Sequence, residues 1–322
     1  MIDEKMTLAE VLNDPRIRPV AADAIRDMDL SQEEWWKWTF QKIEEVHFGG
    51  SLKAGFERLF AAADSGAWYY PLRENGESHL VWFPSADENA GDRPFVLLVP
   101  GGGFTNVWNL TEGWPVANRF NEQGYNVFIL TYRVDAEKQL LDLEMEDFAL
   151  ALSFIKEHEA QFGVQGDRYI TCGFSAGGYL VSLWNVLEKG YARFGLPKPE
   201  ATFPVYPVIS WKLCLKAGLF DPEDGDRLFG CSLEEAAESP YEIEEHVAGF
   251  PPCALFLAAG DTLVDPEHSR LLARALEENK IPCRLEIGQE GGHGFADGTG
   301  MCMEGWIGRA VAWFENLTNE GE

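Results

Sequence analysis

From Tyr70 onward the chain alternates short apolar runs with helical periods, and this alternation limits its fold more than any other feature. The runs occupy residues 79–83, 95–99, 126–130, 169–172, 205–209, 254–258 and 283–287. Their length and apolar character predict strands buried on both faces; the prolines of 205–209 make that run the poorest strand of the series. The clearest intervening helix has Leu141, Met145, Phe148, Leu152 and Ile155 on one stripe, with Gly163 placed to end it. Apolar strands alternating with amphipathic helices imply parallel crossovers, hence an α/β fold with a sheet covered on both sides. Ligands then belong at the carboxyl ends of the strands.

Residues 1–67 have a different texture. They read as a helical extension, a candidate cap, in which Ser31 with Glu34 three residues later predicts a capping box. Residues 68–322 form the main domain. At 322 residues and 46% hydrophobic content the chain can bury a large core, which excludes disorder. Against 53 Asp and Glu it carries 26 Lys and Arg, a formal charge of −27 that repels phosphate backbones and anionic lipid. Nucleic acid and membrane are therefore not expected partners, and neutral substrates fit best. No apolar stretch reads as a leader or a span. The six cysteines (Cys172, Cys214, Cys231, Cys253, Cys283, Cys302) are scattered without metal-ligand spacing, so they read as reduced thiols in a cytoplasmic protein.

Directly after the 169–172 run stands Gly173-Phe174-Ser175-Ala176-Gly177-Gly178, followed by a helical stretch. This is G-x-S-x-G between strand and helix. A sharp elbow lifts a serine clear of the sheet, and glycines two positions to either side let neighbouring backbone pass without a Cβ clash. The helix start brings N–H groups and a positive dipole end to the same place.

A serine hydroxyl needs a base to take its proton. Of six histidines, His158 and His268 fall in predicted helices, and His47, His79 and His246 lie away from a suitable strand end. His293, in Gly291-Gly292-His293-Gly294-Phe295 after the last run, sits in an open glycine loop and is the candidate base. The imidazolium in turn needs a carboxylate. Asp261 and Asp265 both follow the 254–258 run, but Asp265 precedes Pro266 as a helix cap, leaving Asp261. The chain order Ser175, Asp261, His293 is the order associated with G-x-S-x-G folds. A tetrahedral oxyanion requires two backbone donors. Ala176 supplies one by position, and Pro100-Gly101-Gly102-Gly103-Phe104 after the second run offers Gly102 and Gly103.

With these motifs, and with Pro251-Pro252-Cys253-Ala254 leading into Gly260-Asp261-Thr262-Leu263-Val264, the chain resembles the α/β-hydrolase superfamily from about Tyr70 onward. Within it the resemblance is to the esterase/lipase group that includes acetyl esterases and bacterial acetylxylan- or feruloyl-esterase-like proteins. That resemblance implies a mostly parallel eight-stranded sheet, a Ser175–Asp261–His293 triad, no cofactor or metal, and ester hydrolysis through an acyl-enzyme. Pro100 stands where the hormone-sensitive-lipase-like branch carries His, which points to the carbohydrate-esterase-like branch.

The expected function is hydrolysis of short-chain esters, acetyl first, on a small-molecule substrate; assembly as a homo-oligomer is compatible with it. Acyl size is expected to be set by the N-terminal helices and by a lid-like insertion around 211–250. Trp108, Trp114 and Trp211 are candidate sugar-stacking surfaces, weighed against ordinary core packing. Alternatives are a peptidase or acyltransferase on the same triad, or a ligand-binding protein that keeps the fold without turnover.

Overall fold

The computed structural model describes residues 2–43, 51–74 and 76–320. Eight strands form one sheet: β1 (Tyr69–Pro71), β2 (His79–Phe83), β3 (Phe95–Val99), β4 (Val127–Thr131), β5 (Tyr169–Phe174), β6 (Ala201–Val205), β7 (Cys253–Ala258) and β8 (Cys283–Gly288). Their spatial order is β1-β2-β4-β3-β5-β6-β7-β8. β2 pairs antiparallel with β1 and β4, and the remaining pairs are parallel. Short apolar runs form these strands because their alternate residues have two faces to bury. Val96 and Leu98 enter one core, while Phe95, Leu97 and Val99 enter the other.

The first face is covered by N-terminal helices α1 (Leu8–Leu12), α2 (Arg18–Ala21), α3 (Phe40–Ile43) and α4 (Ser51–Asp64), together with α5 (Trp114–Glu122). The second carries α6 (Leu140–Glu157), α7 (Glu159–Phe162) and α8 (Ser175–Leu183). It also carries the insertion between β6 and β7, made of α9 (Trp211–Ala217), α10 (Asp224–Phe229) and α11 (Leu233–Ala237), and then α12 (Glu267–Glu278). The terminal helix α13 (Trp306–Glu320) returns to the first face through Trp306 and Ala310. The predicted stripe of α6 is buried, and Gly163, left-handed at φ 62°, closes α7 one short turn later.

Two local expectations are corrected. The strand expected at the fifth apolar run is β6, at residues 201–205 and not 205–209. Pro204 lies inside it, at the position where the β6–β7 ladder lacks a donor between the bonds from Thr202 N–H and Tyr206 N–H. Pro207, beyond it, belongs to a loop. Nor does Ser31 form a capping box with Glu34. The Asp29 carboxylate accepts from the Ser31 N–H at 3.1 Å and from its hydroxyl at 2.6 Å, so the hydroxyl is already committed as a donor. Complete capping boxes occur instead at Thr7 with Glu10 and at Ser232 with Glu235.

In this order β3 lies between β4 and β5, so successive crossovers leave it in opposite directions. This opens a crevice at its carboxyl end. Val99 is in register with Gly173, so the glycine loop after β3 and the serine turn after β5 leave the sheet side by side.

Candidate active site

β5 runs into α8 without a spacer, and Ser175 occupies the junction at φ +51°, a left-handed conformation that costs a non-glycine residue roughly 1–3 kcal/mol. Close packing enforces the elbow. A Cβ on Gly173 would lie 2.3 Å from the Gly177 carbonyl oxygen, and one on Gly177 would lie 2.2 Å from that of Val99. Both contacts are to backbone, which cannot swing aside.

The loops after β7 and β8 meet over this turn. Gly260 lets them touch, since a Cβ there would stand 2.5 Å from the Gly291 carbonyl oxygen. Across that contact His293 Nδ1 lies 2.7 Å from Asp261 Oδ2, and His293 Nε2 lies 2.9 Å from Ser175 Oγ. The second Asp261 oxygen accepts the N–H groups of Leu263 and Val264, both at 2.9 Å, which locks the carboxylate in place. Asp265 instead accepts the Glu267 N–H at 2.8 Å, at the start of α12. Serine, imidazole and the selected carboxylate thus form one continuous hydrogen-bond chain at the carboxyl end of the sheet.

Beside the serine, Gly102 (φ +143°) and Gly103 (φ +64°) turn the chain sharply, and the Gly102 carbonyl accepts from Thr105 and Asn106. Neither Gly102 N–H nor Gly103 N–H donates to an acceptor among the described residues. Ala176 is the second residue of α8, where N–H groups have no intrahelical acceptor. Gly102, Gly103, Trp108, Thr111, Glu112, Ser175, Leu263, His293 and Gly294 line a cleft of about 440 Å³.

The other described histidines lie away from the cleft. His268 is buried and its Nδ1 accepts the N–H groups of Ile209 and Ser210, with burial pushing it down to about 4. His79, buried in β2, lies 4.0 Å from Asp23 and is pushed down to about 3, again by burial. His158 ends α6 with Nδ1 2.8 Å from the Phe154 carbonyl oxygen. His246 joins two short turns. His47 lies outside the described residues.

Of the three tryptophans, only Trp108 borders the cleft. Trp114 and Trp211 are core residues, packed against Phe56 and against Tyr179 and Phe229. The wall of this cleft, among the described residues, includes none from the N-terminal helices or the 211–250 insertion, but Ser51 and Leu52 of α4 line an adjoining pocket that shares Thr111 and Gly294 with it, and Leu213 and Leu219 of the insertion line another that shares Leu263. Trp211 packs on Phe104, and the Arg227 guanidinium donates to the Phe104 carbonyl at 3.0 Å, so the insertion grips the glycine loop from behind.

Two side chains escaped the sequence reading. Glu112 is buried below the cleft, one oxygen accepting the Gly101 N–H at 2.7 Å and the other the Tyr206 hydroxyl at 2.8 Å. The Tyr206 ring lies 4.6 Å from the His293 ring, centre to centre. No motif marks either residue; the segment that follows the glycine loop mixes Thr and Asn with apolar residues, so its acid carries no signal in the sequence.

A doubly wound sheet with a serine elbow at its switch point and an imidazole delivered from the loop after the last strand defines an α/β-hydrolase fold. The sequence comparisons agree. A family profile described as BD-FAE matches residues 81–211. The chain is 29% identical over 67% of its length to endo-1,4-beta-xylanase B of Butyrivibrio fibrisolvens, and 27% identical over 71% to an acetylxylan esterase of Xylanibacter ruminicola. It spans only 34% and 46% of the lengths of those two relatives. Among solved structures, an acetyl ester-xyloside bifunctional hydrolase from Caldicellulosiruptor lactoaceticus superposes with a TM-score of 0.65 at 25% identity, covering 78% of this chain and 96% of that one. The chain thus has the α/β-hydrolase fold and is similar in sequence to esterases of that fold.

Proposed function

We propose that the protein is a serine carboxylesterase acting on short acyl esters, acetyl first, with acetylated carbohydrates as the substrate class. The observation that carries this reading is the Ser175–His293–Asp261 hydrogen-bond chain, at 2.9 and 2.7 Å, beside two glycine amides with no acceptor among the described residues. His293 takes the Ser175 proton as Oγ attacks the ester carbonyl, and Asp261 holds the imidazole with Nδ1 protonated. The N–H groups of Gly102, Gly103 and Ala176 receive the oxyanion. Collapse expels the alcohol, which takes the proton from His293, and water activated by the same base releases the acid.

A neutral ester suits a cleft whose described walls carry no Lys or Arg, in a chain of net charge −27. The names of the relatives support an acetyl ester of a saccharide, and Trp108 at the rim offers a ring on which a sugar can stack. The six free thiols suit the cytoplasmic setting included in this reading.

The test is labelling with a fluorophosphonate and hydrolysis of a chromogenic acetate, each in the parent and in Ser175→Ala. Labelling and turnover that vanish together in the variant support the reading. A parent that neither labels nor turns over favours a binding protein, and preference for a peptide anilide over the acetate favours a peptidase.

A further inference from the structure

Glu112 is a buried acid that the acyl-transfer steps above do not use. It sits in a π-helical turn (Asn109–Gly113), with 7% of its surface exposed, and borders the cleft. Its two oxygens serve different parts of the site. One takes the Gly101 N–H at 2.7 Å, and Gly101 is itself pressed on the nucleophile turn, where a Cβ would lie 2.5 Å from the Phe174 carbonyl oxygen and 2.9 Å from Ser175 Cβ. The other takes the hydroxyl of Tyr206, whose ring lies against that of His293 and whose oxygen also accepts the Ala296 N–H at 3.3 Å. We propose that Glu112 is a positioning residue: a single buried carboxylate that fixes the glycine loop through Gly101 and the His293 ring through Tyr206. This inference rests on the serine-esterase reading of the same site.

An ionised carboxylate only accepts, and both of its neighbours here only need to donate, so the bridge has one hydrogen-bonding pattern. The titratable groups facing Glu112 are Tyr206 beyond β6, Tyr132 beyond β4, Cys172 in β5 and His293 beyond β8; those facing His293 are Asp261 and Glu112. Burial raises the Glu112 carboxyl above its ordinary range, while the Gly101 amide, the Tyr206 hydroxyl and then the His293 charge act to lower it. Of the groups facing it, only the imidazole becomes a cation. Because that cation forms as the serine proton is transferred, the attraction strengthens along the reaction.

The test uses Glu112→Gln and Tyr206→Phe in the full chain. In Glu112→Gln the amide oxygen keeps the Gly101 N–H while the amide nitrogen faces Tyr206, so the tyrosine proton loses its acceptor. A bond displaced in the transition state corresponds to about a tenfold loss in kcat, with KM within about threefold. The thermal midpoint falls by a few degrees at most, because the buried Tyr206 hydroxyl is left without an acceptor and the loss of a buried charge offsets part of that cost. The acidic limb of kcat/KM and the NMR titration of the His293 ring both move about one pH unit lower. Tyr206→Phe lowers kcat similarly but leaves the charge, so its limb moves less. A Glu112→Gln enzyme with parental kcat, or a His293 ring that titrates as in the parent, overturns the proposal. If the parent itself hydrolyses no ester, the esterase reading fails, while the ring titration still decides for or against Glu112.

Discussion

Asp261→Asn changes one atom of the site, and the surrounding structure decides which way the new amide faces. Asp261 Oδ1 accepts two backbone N–H groups at 2.9 Å, while Oδ2 lies 2.7 Å from His293 Nδ1. Placing the amide nitrogen on the Oδ1 side would set it against two donors, at about 1–3 kcal/mol for each one left unpaired. The amide oxygen therefore stays with Leu263 and Val264, and the amide nitrogen points at the imidazole. Nδ1 must then accept, which moves the ring proton to Nε2, the atom 2.9 Å from Ser175 Oγ. A protonated Nε2 cannot take the serine proton. The expected loss in kcat is about 10⁴-fold, or about 5.5 kcal/mol of barrier. The fold keeps both of its backbone bonds, so the thermal midpoint should fall by less than about 4 °C. Steady-state hydrolysis of a chromogenic acetate, beside a melt followed by circular dichroism, reads both quantities. A kcat within tenfold of the parent at an unchanged midpoint would refute the tautomer argument.

Three further perturbations probe the scaffold. Gly177→Ala places a methyl 2.2 Å from the Val99 carbonyl oxygen and 2.4 Å from that of Pro100; the elbow cannot yield, and a loss of more than about 4 kcal/mol in urea unfolding is expected, whereas a midpoint within 3% of the parent would show that the turn relaxes. His268, pushed down to about 4 by burial, binds its proton more readily in the unfolded chain, so the stability it contributes is complete above about pH 6.5 and is lost as pH falls toward 4, roughly 3 kcal/mol in all. The stability gap between parent and His268→Gln should therefore narrow from pH 7 to pH 4, and a constant gap contradicts the linkage. Phe56 of α4 is fully buried between Phe40 and Trp114; Phe56→Ala should cost about 3–5 kcal/mol, and a loss below 1 kcal/mol by urea titration would mean that α4 is not part of the cooperative core.

What the sequence made legible was whatever short-range sterics dictates. The glycines around Ser175, with Gly101 and Gly102, are required by contacts of 2.1–2.9 Å to neighbouring backbone and side-chain atoms, and Gly103 by its φ of +64°, so their spacing alone announces a tight turn. Asp265 could be set aside because its role as acceptor for the Glu267 N–H is local. The errors come from tertiary context. Pro204 stands inside β6, where its missing N–H leaves the ladder to β7 one bond short between those of Thr202 and Tyr206, so a proline rule applied to one strand misplaces the strand. For Trp114 and Trp211 the ordinary expectation of core packing holds over sugar stacking, since their neighbours come from α4, α8 and α10. Glu112 was invisible for the same reason: its partners are 11 residues upstream and 94 downstream.

The N-terminal segment shows how far this dependence reaches. The Arg26 N–H donates to the Val107 carbonyl at 3.0 Å, and the Leu110 N–H donates to the Ala24 carbonyl at 2.7 Å, a strand-like bridge between the extension and the loop that follows the glycines. The Asn106 and Asn109 side-chain amides complete it, donating to the carbonyls of Arg26 and Asp23 at 2.9 and 2.8 Å. Asn106 is also the residue whose N–H closes the turn on the Gly102 carbonyl. A hole for an oxyanion works only if its donors are already aimed before charge develops, and loops reach that rigidity through contacts outside themselves. In this chain four hydrogen bonds from residues 23–26 hold the segment 106–110, and 106 holds the glycines. The extension lies outside the stretch of 81–211 matched by the family profile, yet it is bonded one residue away from the turn on which the proposed chemistry depends.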